Sequence, residues 1–273
     1  MKTPDLIIFT DLDGTLLDHQ SYQFAPALPA LNKIKQQQIP LILVSSKTAS
    51  EMEVLRKTLQ NTHPFIVENG GAVFIPESYF GVDFHYQRKE AKYLILELGL
   101  PYPEIRACLN KIKAKTGLPI VGFGDLSVAE IVQLTGLIKN EAKLAKQRRY
   151  NEPFVVQDKR KKSRLEELLP ICRELGLNLT RGNRFYHLMG KNDKGLAVRK
   201  LRHIYAKAWN APFKTIGVGD SWNDFPMLQE VDLPVLVRNA SDEYEPQILM
   251  EMQPILADGM GPQGWNQAIL QLI

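Results

Sequence analysis

Short apolar runs alternate with longer amphipathic segments near both ends of this chain. The apolar runs have the length of buried strands, and they lie at 6–10, 40–44, 65–67, 215–218 and 235–237. Strands that alternate with helices in this way form parallel sheets, because each helix returns the chain to the start of the next strand. The two ends of the chain are therefore predicted to build one parallel sheet.

Two of the amphipathic segments carry signals for the start of a helix. Thr48 lies three residues before Glu51, the spacing of a capping box, and apolar residues follow at helical intervals. A longer helix is predicted over 195–209, with Asp193 in position to cap its first turn. The first helix begins immediately after the polar stretch "SSK" that ends the second predicted strand.

The middle of the chain, residues 85–188, mixes helical segments with short strand-like pieces. Helices are predicted around 104–115 and 163–175, and strands within 153–157 and 185–190. Such a mixture is typical of a separate α+β domain. We therefore predict the α/β class, with a Rossmann-like parallel sheet core from residues 1–84 and 189–273 and an inserted α+β cap domain at 85–188.

Composition narrows the class of protein. The 273 residues are 44% hydrophobic and 23% charged, and no apolar stretch reaches the length of ~20 residues that spans a bilayer. No secretory signal is recognisable, so we expect a cytoplasmic protein without a membrane partner. Cys108 and Cys172 lack CxxC spacing, so neither a disulfide framework nor a zinc site is expected.

Charge gives a weaker indication of the partner. The net charge of +4 slightly favours an anionic ligand but falls short of a nucleic-acid-binding surface, so no nucleic-acid partner is expected. The basic run at 159–164 is interpreted as a solvated face that opens a helix, with attraction of an anionic substrate as the alternative.

Polar residues follow the predicted strands, where ligands bind in parallel sheets. These residues are Asp11 and Asp13 after the first strand, Ser45, Ser46 and Lys47 after the second, and Asp220, Asn223 and Asp224 after a later one. Lys194 opens the long helix beside them. Carboxylates that converge at one sheet edge must be protonated or neutralised, and Mg²⁺ prefers oxygen ligands. Asp11 and Asp220 are the natural candidates for such ligands.

Phosphoryl transfer fits this set of side chains. A lysine and a serine at the same edge supply a positive charge and a hydroxyl donor, both of which suit phosphoryl oxygens. One aspartate can act as a nucleophile that forms an aspartyl-phosphate, and a second, two residues on, can carry protons.

Four motifs together resemble those of the haloacid dehalogenase phosphatase superfamily. They are "DLDGT" after an apolar strand, a serine that ends the second strand, "DKG" and "GDSWND". The interval from Ser45 to Lys194 leaves room for the large cap that one branch inserts between its second and third motifs; that branch includes sugar phosphatases and phosphomannomutases. "SSKT", "ENGGAVFIP", "LTGL", "RRYNEPF", "RGNRFYHL" and "NDKGLAV" further resemble the mannosyl-3-phosphoglycerate phosphatases.

The resemblance implies roles for the aspartates of the core. Asp11 would be the nucleophile and a Mg²⁺ ligand, and Asp220 would complete the metal site. Asp13 would protonate the leaving hydroxyl and then deprotonate the attacking water, while its backbone carbonyl faces the metal. Asn223 and Asp224 would hold metal-bound water or the lysine, unless they only cap the next helix.

The remaining core residues would bind the phosphoryl group. Ser45 would donate to a phosphoryl oxygen, and Lys194 would steady Asp11 and the phosphate charge. Backbone N–H groups near Leu12 and Ser46 would complete the anion site.

The cap would select the substrate. The candidates for binding a carboxylate are Arg181, Asn183 and Arg184, and those for sugar hydroxyls are Asn69, Gly70, Glu130 and Glu152. Two positions depart from the family pattern: Asn183 stands where a second glycine is usual, and Arg149 stands where an acid is expected. His85 and His187 are interpreted as structural.

The function predicted from the resemblance is Mg²⁺-dependent dephosphorylation of 2-O-mannosyl-3-phosphoglycerate to mannosylglycerate. The partner is then a small phosphorylated sugar acid, and the oligomeric state stays open. The alternatives are a phosphatase for glucosyl-3-phosphoglycerate or another sugar phosphate, a phosphomutase, and a non-catalytic phosphosugar-binding protein.

Overall fold

A computed structural model describes residues 5–157, 167–182 and 184–273. Its strands are β1 (Leu6–Thr10), β2 (Leu41–Val44), β3 (Phe65–Val67), β4 (Ala72–Pro76), β5 (Arg88–Glu90), β6 (Tyr93–Glu97), β7 (Ile120–Gly122), β8 (Asn151–Val156), β9 (Asn178–Arg181), β10 (Tyr186–Met189), β11 (Lys214–Gly219), β12 (Leu233–Arg238) and β13 (Ile255–Met260). Its helices are α1 (Leu28–Gln36), α2 (Ala49–Leu59), α3 (Tyr102–Thr116), α4 (Val128–Thr135), α5 (Lys139–Ala145), α6 (Leu168–Glu174), α7 (Lys194–Trp209), α8 (Phe225–Gln229), α9 (Pro246–Glu251) and α10 (Gly261–Leu272). Among the described helices, none combines the length and the apolar character that crossing a membrane requires.

The larger sheet has the strand order β13-β12-β11-β1-β2-β3-β4-β6-β5. Its strands run parallel from β13 to β3, and β4, β6 and β5 then extend it with antiparallel pairs. The predicted fold class is confirmed. All five predicted strands are present, and their ends differ from the predicted ones by at most two residues.

Helices cover both faces of this sheet, so its central strands are apolar on both sides. Ile7, Ile8 and Phe9 of β1 are fully buried. Ile8 lies in the same apolar cluster as Trp265 of α10, whereas Ile7 and Phe9 pack with Leu201 of α7. A strand buried on both faces reads as a continuous apolar run, which is why the sequence pattern located β1.

Both predicted helix starts are present. The Thr48 side chain accepts a hydrogen bond from the backbone N–H of Glu51, and the Glu51 carboxylate accepts one from the N–H of Thr48, which completes the capping box of α2. Asp193 caps α7 by accepting from the N–H of Leu196 at 2.7 Å.

The smaller sheet is antiparallel, with the order β7-β8-β10-β9. Helices α3 and α6 pack on one of its faces, where Phe154 and Leu188 join their apolar cluster. Their neighbours in sequence, Pro153 and His187, point the other way and line a cleft against the larger sheet. Both cysteines are free.

The first boundary predicted for the cap, residue 85, stays a prediction, and the strand pairing favours a later one. Strands β5 and β6 lie beyond it, yet β6 pairs with β4 and β5 pairs with β6, so both belong to the larger sheet. The short polar strand β5 carries no apolar run that would have revealed this pairing. We propose that the inserted body begins after β6. The basic run at 159–164, and residues 163–166 of the predicted second helix, lie outside the described residues; α6 is its described part.

The loop after β3 of the larger sheet forms hydrogen bonds with the chain just before β8 of the smaller sheet. Glu68, Asn69 and Gly70 all have positive φ angles, of 49°, 54° and 82°. The buried Glu68 carboxylate accepts hydrogen bonds from the backbone N–H groups of Arg149 and Tyr150, which precede β8 of the smaller sheet. Burial raises the pKa of this carboxyl to about 7, although the charge of Arg148 and these two backbone donors oppose the rise.

Two constraints act on Gly70, a positive φ angle and a close neighbour, whereas only a positive φ angle acts on Gly117. A Cβ at Gly70 would lie 1.9 Å from the carbonyl oxygen of Asp193, whereas a Cβ at Gly117, which also has a positive φ, would meet nothing within 4 Å. We expect Gly117→Ala to lower the free energy of unfolding by about 1 kcal/mol, from backbone strain alone. Gly70→Ala should cost about 3 kcal/mol or more, because the chain at the start of α7 must also move.

Urea unfolding of both variants beside the wild-type protein measures this difference. Equal losses in the two variants would contradict the close approach of the loop to α7.

Candidate active site

The carboxyl ends of β1 and β11 and the first residue of α7 bring three charged groups together. The Nζ of Lys194 donates to Asp11 Oδ1 at 2.6 Å and to Asp224 Oδ1 at 2.5 Å. All three residues are buried. Asp11 follows β1 directly, Lys194 opens α7, and Asp224 follows β11, so elements distant in sequence supply one cluster.

Asp11, Asp220 and Asp224 form a group that can hold a metal ion, since one oxygen of each lies within 4.8 Å of the others. Asp224 is largely occupied: its Oδ1 accepts from Lys194, and its Oδ2 accepts from the backbone N–H groups of Asp220 and Ser221. Thr15 donates to Asp220 Oδ1 at 3.0 Å. Three buried carboxylates beside one lysine leave excess negative charge, which fits a hard divalent cation with oxygen ligands.

The protonation of these groups reflects the same imbalance. Burial raises the pKa of Asp11 to about 7, and the charge of Asp224 adds to the rise while Lys194 opposes it. Burial acts to lower the pKa of Lys194, but the charges of Asp11 and Asp224 raise it above the usual range. The lysine therefore stays charged, and an added cation near Asp11 would favour the ionised carboxylate.

The side chain of Asp13 turns toward a different lysine. Its Oδ2 lies 2.8 Å from Lys47 Nζ. Burial opposes the charge on Lys47, yet the charges of Asp13 and Glu51 raise its pKa above the usual range. The predicted metal set included Asp13 through its backbone carbonyl, and the cluster of side-chain carboxylates adds Asp224 to Asp11 and Asp220. Lys47 had no predicted role, although it lies in the motif "SSKT" and was named among the polar residues after the second strand.

The two serines after β2 differ in their position relative to the cleft, which Ser46 lines and Ser45 does not. Ser45 is 1% exposed, and its Oγ accepts from the backbone N–H of Lys47 at 3.2 Å. Ser46 lines the cleft, and its carbonyl accepts from Arg148 Nη1 at 2.6 Å. Arg148 lies between α5 and β8 and was not predicted as a site residue. Its sequence signal was the motif "RRYNEPF", from which Arg149 and Glu152 were singled out.

Asn69 connects the loop after β3 to the loop after β11 and lies beside the site. Asn223 Nδ2 donates to Asn69 Oδ1 at 3.1 Å, and Ser221 Oγ donates to Asn223 Oδ1 at 2.6 Å. Asn223 lines the cleft, whereas Gly70 packs against Asp193. Asn69 and Gly70 thus hold loops in position, and neither was predicted to do so.

Two acids predicted to reach the sugar lie elsewhere. Glu152 is 0% exposed and accepts hydrogen bonds from Tyr102 Oη and Arg106 Nη1, each at 2.6 Å. Glu130 is exposed and completes the capping box of α4 with Ser127. Neither side chain is among those that line the cleft. Sequence could not distinguish them from ligands, because a buried ion pair and a helix cap use the same carboxylate chemistry.

The three residues predicted to bind a carboxylate have different surroundings. Arg181 is exposed on β9 and is not part of the cleft lining. Arg184 lies at the mouth of the cleft and donates to Tyr22 Oη and to the Thr135 carbonyl, each at 2.9 Å. Asn183 lies outside the described residues.

His187 lines the cleft, although a structural role was predicted for it. Its Nδ1 lies 3.1 Å from Asn151 Oδ1. Burial lowers its pKa to about 3, and the charges of Arg148 and Lys194 contribute to the shift. The imidazole of His187 is therefore neutral at physiological pH.

Sequence comparison finds close relatives over nearly the whole chain. The glucosyl-3-phosphoglycerate/mannosyl-3-phosphoglycerate phosphatases of Methanococcoides burtonii and Persephonella marina are 46% and 45% identical, and each alignment covers 98% of this chain and 97% of the relative. A mannosyl-3-phosphoglycerate phosphatase of Pyrococcus furiosus is 35% identical, over 87% of this chain and 93% of the relative.

Structural comparison agrees at the level of the fold. A haloacid dehalogenase-like hydrolase from Bacillus subtilis superposes with a TM-score of 0.69 at 17% identity, covering 98% of this chain and 100% of the other. The family described as haloacid dehalogenase-like hydrolase matches residues 8–252. With the aspartate cluster, the sheet order and these relatives, the chain belongs to the haloacid dehalogenase-like hydrolase family.

Proposed function

We propose that this protein hydrolyses the phosphate ester of glycosyl-3-phosphoglycerates and accepts both the glucosyl and the mannosyl compound. The observation that carries the proposal is the buried cluster in which Lys194 contacts Asp11, while Asp13 stands two residues on beside Lys47. Such an arrangement supplies a positioned nucleophile and a separate proton carrier. The names of the relatives at 45% and 46% identity include both sugars, which supports the wider substrate range over mannose alone.

The proposed reaction has two steps, in which Asp11 is the nucleophile and Asp13 the proton carrier. An oxygen of Asp11 attacks phosphorus, the bond from phosphorus to the glycerate oxygen breaks, and Asp13 gives its proton to that oxygen. Water then attacks the aspartyl-phosphate, Asp13 takes the proton of the water, and phosphate leaves with Asp11 restored. Lys194 holds Asp11 in place and offsets negative charge on the phosphoryl group.

Mg²⁺ is the proposed metal. Asp11, Asp220 and the backbone carbonyl of Asp13 would hold it, with Asp224 keeping Lys194 and the loop after β11 in place. The ion would supply positive charge that stabilises the transferring phosphoryl group. The excess of buried carboxylates over lysine at this edge supports the proposal.

Asp11→Asn should lower phosphate release from glucosyl-3-phosphoglycerate by about 1,000-fold or more, because the amide cannot form the aspartyl-phosphate. Steady-state phosphate assays with purified protein measure the loss. Asp5→Asn, the same change at an exposed position before β1, is the matched control and should keep wild-type activity. Residual activity of Asp11→Asn above about one hundredth would reject Asp11 as the nucleophile.

Mg²⁺ should raise the Tm of the wild-type protein, because an ion that binds only the folded state stabilises it. Asp220→Asn should abolish most of this shift, since it removes a charged ligand. Thermal unfolding with chelator and with millimolar Mg²⁺ tests both statements without reference to activity. An equal Mg²⁺ shift in the variant would locate the ion elsewhere.

Phosphate release from the two glycosyl-3-phosphoglycerates should exceed release from glucose 6-phosphate by about 100-fold in kcat/KM. This assay is run first without a bisphosphate activator and then with one. Turnover that appears only in the presence of the bisphosphate would indicate a phosphomutase. Tight binding of both compounds without any release would indicate a non-catalytic sugar-phosphate-binding protein.

A further inference from the structure

Two nearly buried cations line the cleft beside the proposed proton carrier. The side chain of Lys47 is 14% exposed and that of Arg148 is 6% exposed. Lys47 comes from the core loop after β2, and Arg148 comes from the segment between α5 and β8. The phosphoryl group already has Lys194 and the proposed metal beside Asp11. Lys47 and Arg148 therefore add two cations to the cleft, beside the acids Asp13 and Glu51 that also line it.

Arg148 is held so that part of its guanidinium stays available. Its Nε donates to the Ala145 carbonyl at 2.8 Å, and its Nη1 donates to the Ser46 carbonyl at 2.6 Å. Its Nη2 lies 3.9 Å from Glu51 Oε2, beyond hydrogen-bonding distance. That oxygen already accepts from the backbone N–H of Thr48 at 2.8 Å. Within the described part of the chain, Nη2 has no hydrogen-bond acceptor.

The position of Arg148 is fixed from the core side. Glu68 binds the backbone N–H groups of the next two residues, and the Arg148 guanidinium lies over the ring of Phe123 at 5.5 Å. Since Nη2 is not one of the fully buried atoms that lack a partner, it is open to the cleft, where an anion can accept its hydrogen bonds. The rigid setting is that of a binding group, since little side-chain entropy is lost when the ligand arrives.

We propose that Lys47 and Arg148 together bind the carboxylate of the phosphoglycerate part of the substrate, Lys47 from the core and Arg148 from the cap. This inference rests on the proposed function and adds the group that recognises the acid. A planar guanidinium matches a carboxylate, and an ammonium adds a point charge. A carboxylate bound between Lys47 and Arg148 would also link the core and the cap directly.

Arg184 is the competing candidate, and its contacts argue against it. Both of its terminal nitrogens donate to protein acceptors, Tyr22 Oη and the Thr135 carbonyl. It is also an exposed residue, so water solvates its charge and weakens any ion pair with a ligand. Arg184 and Arg148 thus form a matched pair of cleft arginines with opposite expectations.

The test compares two substrates that differ in one group. The first is glucosyl-3-phosphoglycerate, and the second is the glucosylglycerol 3-phosphate in which a hydroxymethyl group replaces the carboxylate. The wild-type protein should favour the acid about tenfold to a hundredfold in kcat/KM, as expected for a charged hydrogen-bonded group. Arg148→Gln should reduce this preference about tenfold or more, and Arg148→Lys should retain part of it.

Arg184→Gln should keep the wild-type preference. Lys47→Gln provides an independent variant: its activity on both substrates should fall, because Lys47 also contacts Asp13, and its preference for the acid should fall as well. Thermal unfolding of each variant establishes that it is folded before rates are compared, and Lys47→Gln serves if Arg148→Gln does not fold.

The outcomes separate this inference from the function that it rests on. If the wild-type protein releases phosphate from neither substrate, the proposed function and the inference both fail. If the wild-type protein prefers the acid and Arg148→Gln and Lys47→Gln keep that preference, the carboxylate subsite alone is rejected. A loss of preference in Arg184→Gln alone would assign the carboxylate to the mouth of the cleft and overturn the inference.

Discussion

The compensation of buried negative charge is the constraint on which this structure depends. Asp11, Asp220 and Asp224 lie in the interior at the end of a buried sheet, where an isolated carboxylate would not stay ionised. Lys194 offsets part of this negative charge by contacting Asp11 and Asp224. Its place as the first residue of α7 requires that helix to begin at this edge. The loop that contains Gly70 passes so close to the helix start that no side chain fits there.

The same logic extends from the core to the cap. Glu68 is a buried acid whose carboxylate is satisfied by backbone N–H groups of the segment before β8. That contact fixes Arg148 beside the cleft, and Arg148 in turn donates to the carbonyl of Ser46. Hydrogen bonds between the core and the cap therefore form at residues next to the candidate active site. Substrate recognition can then use groups from both sides without losing their alignment.

The sequence predicted the parts of the fold that a continuous apolar run or a helix cap encodes. Strand β1 is buried on both faces, so its pattern was unambiguous, and the capping boxes are local in sequence. Strand β5 has the sequence Arg-Lys-Glu and β13 is largely exposed, so neither has a strong pattern. Their place in the larger sheet depends on pairing with strands that are already formed. For this reason the sequence pattern favoured an earlier start of the cap than the strand pairing does.

For the candidate site, the sequence by itself determined which residue types follow the buried strands, because strand ends and motif spacing are local properties. It thereby indicated Asp11, Asp13, Ser45, Lys194 and Asp220. Only the tertiary structure decided which partners the charged residues have. Asp13 contacts Lys47, Glu152 forms an ion pair with Arg106, and Arg148 lines the cleft. An ion pair depends on distance and desolvation, and both arise only when segments far apart in the chain are packed together.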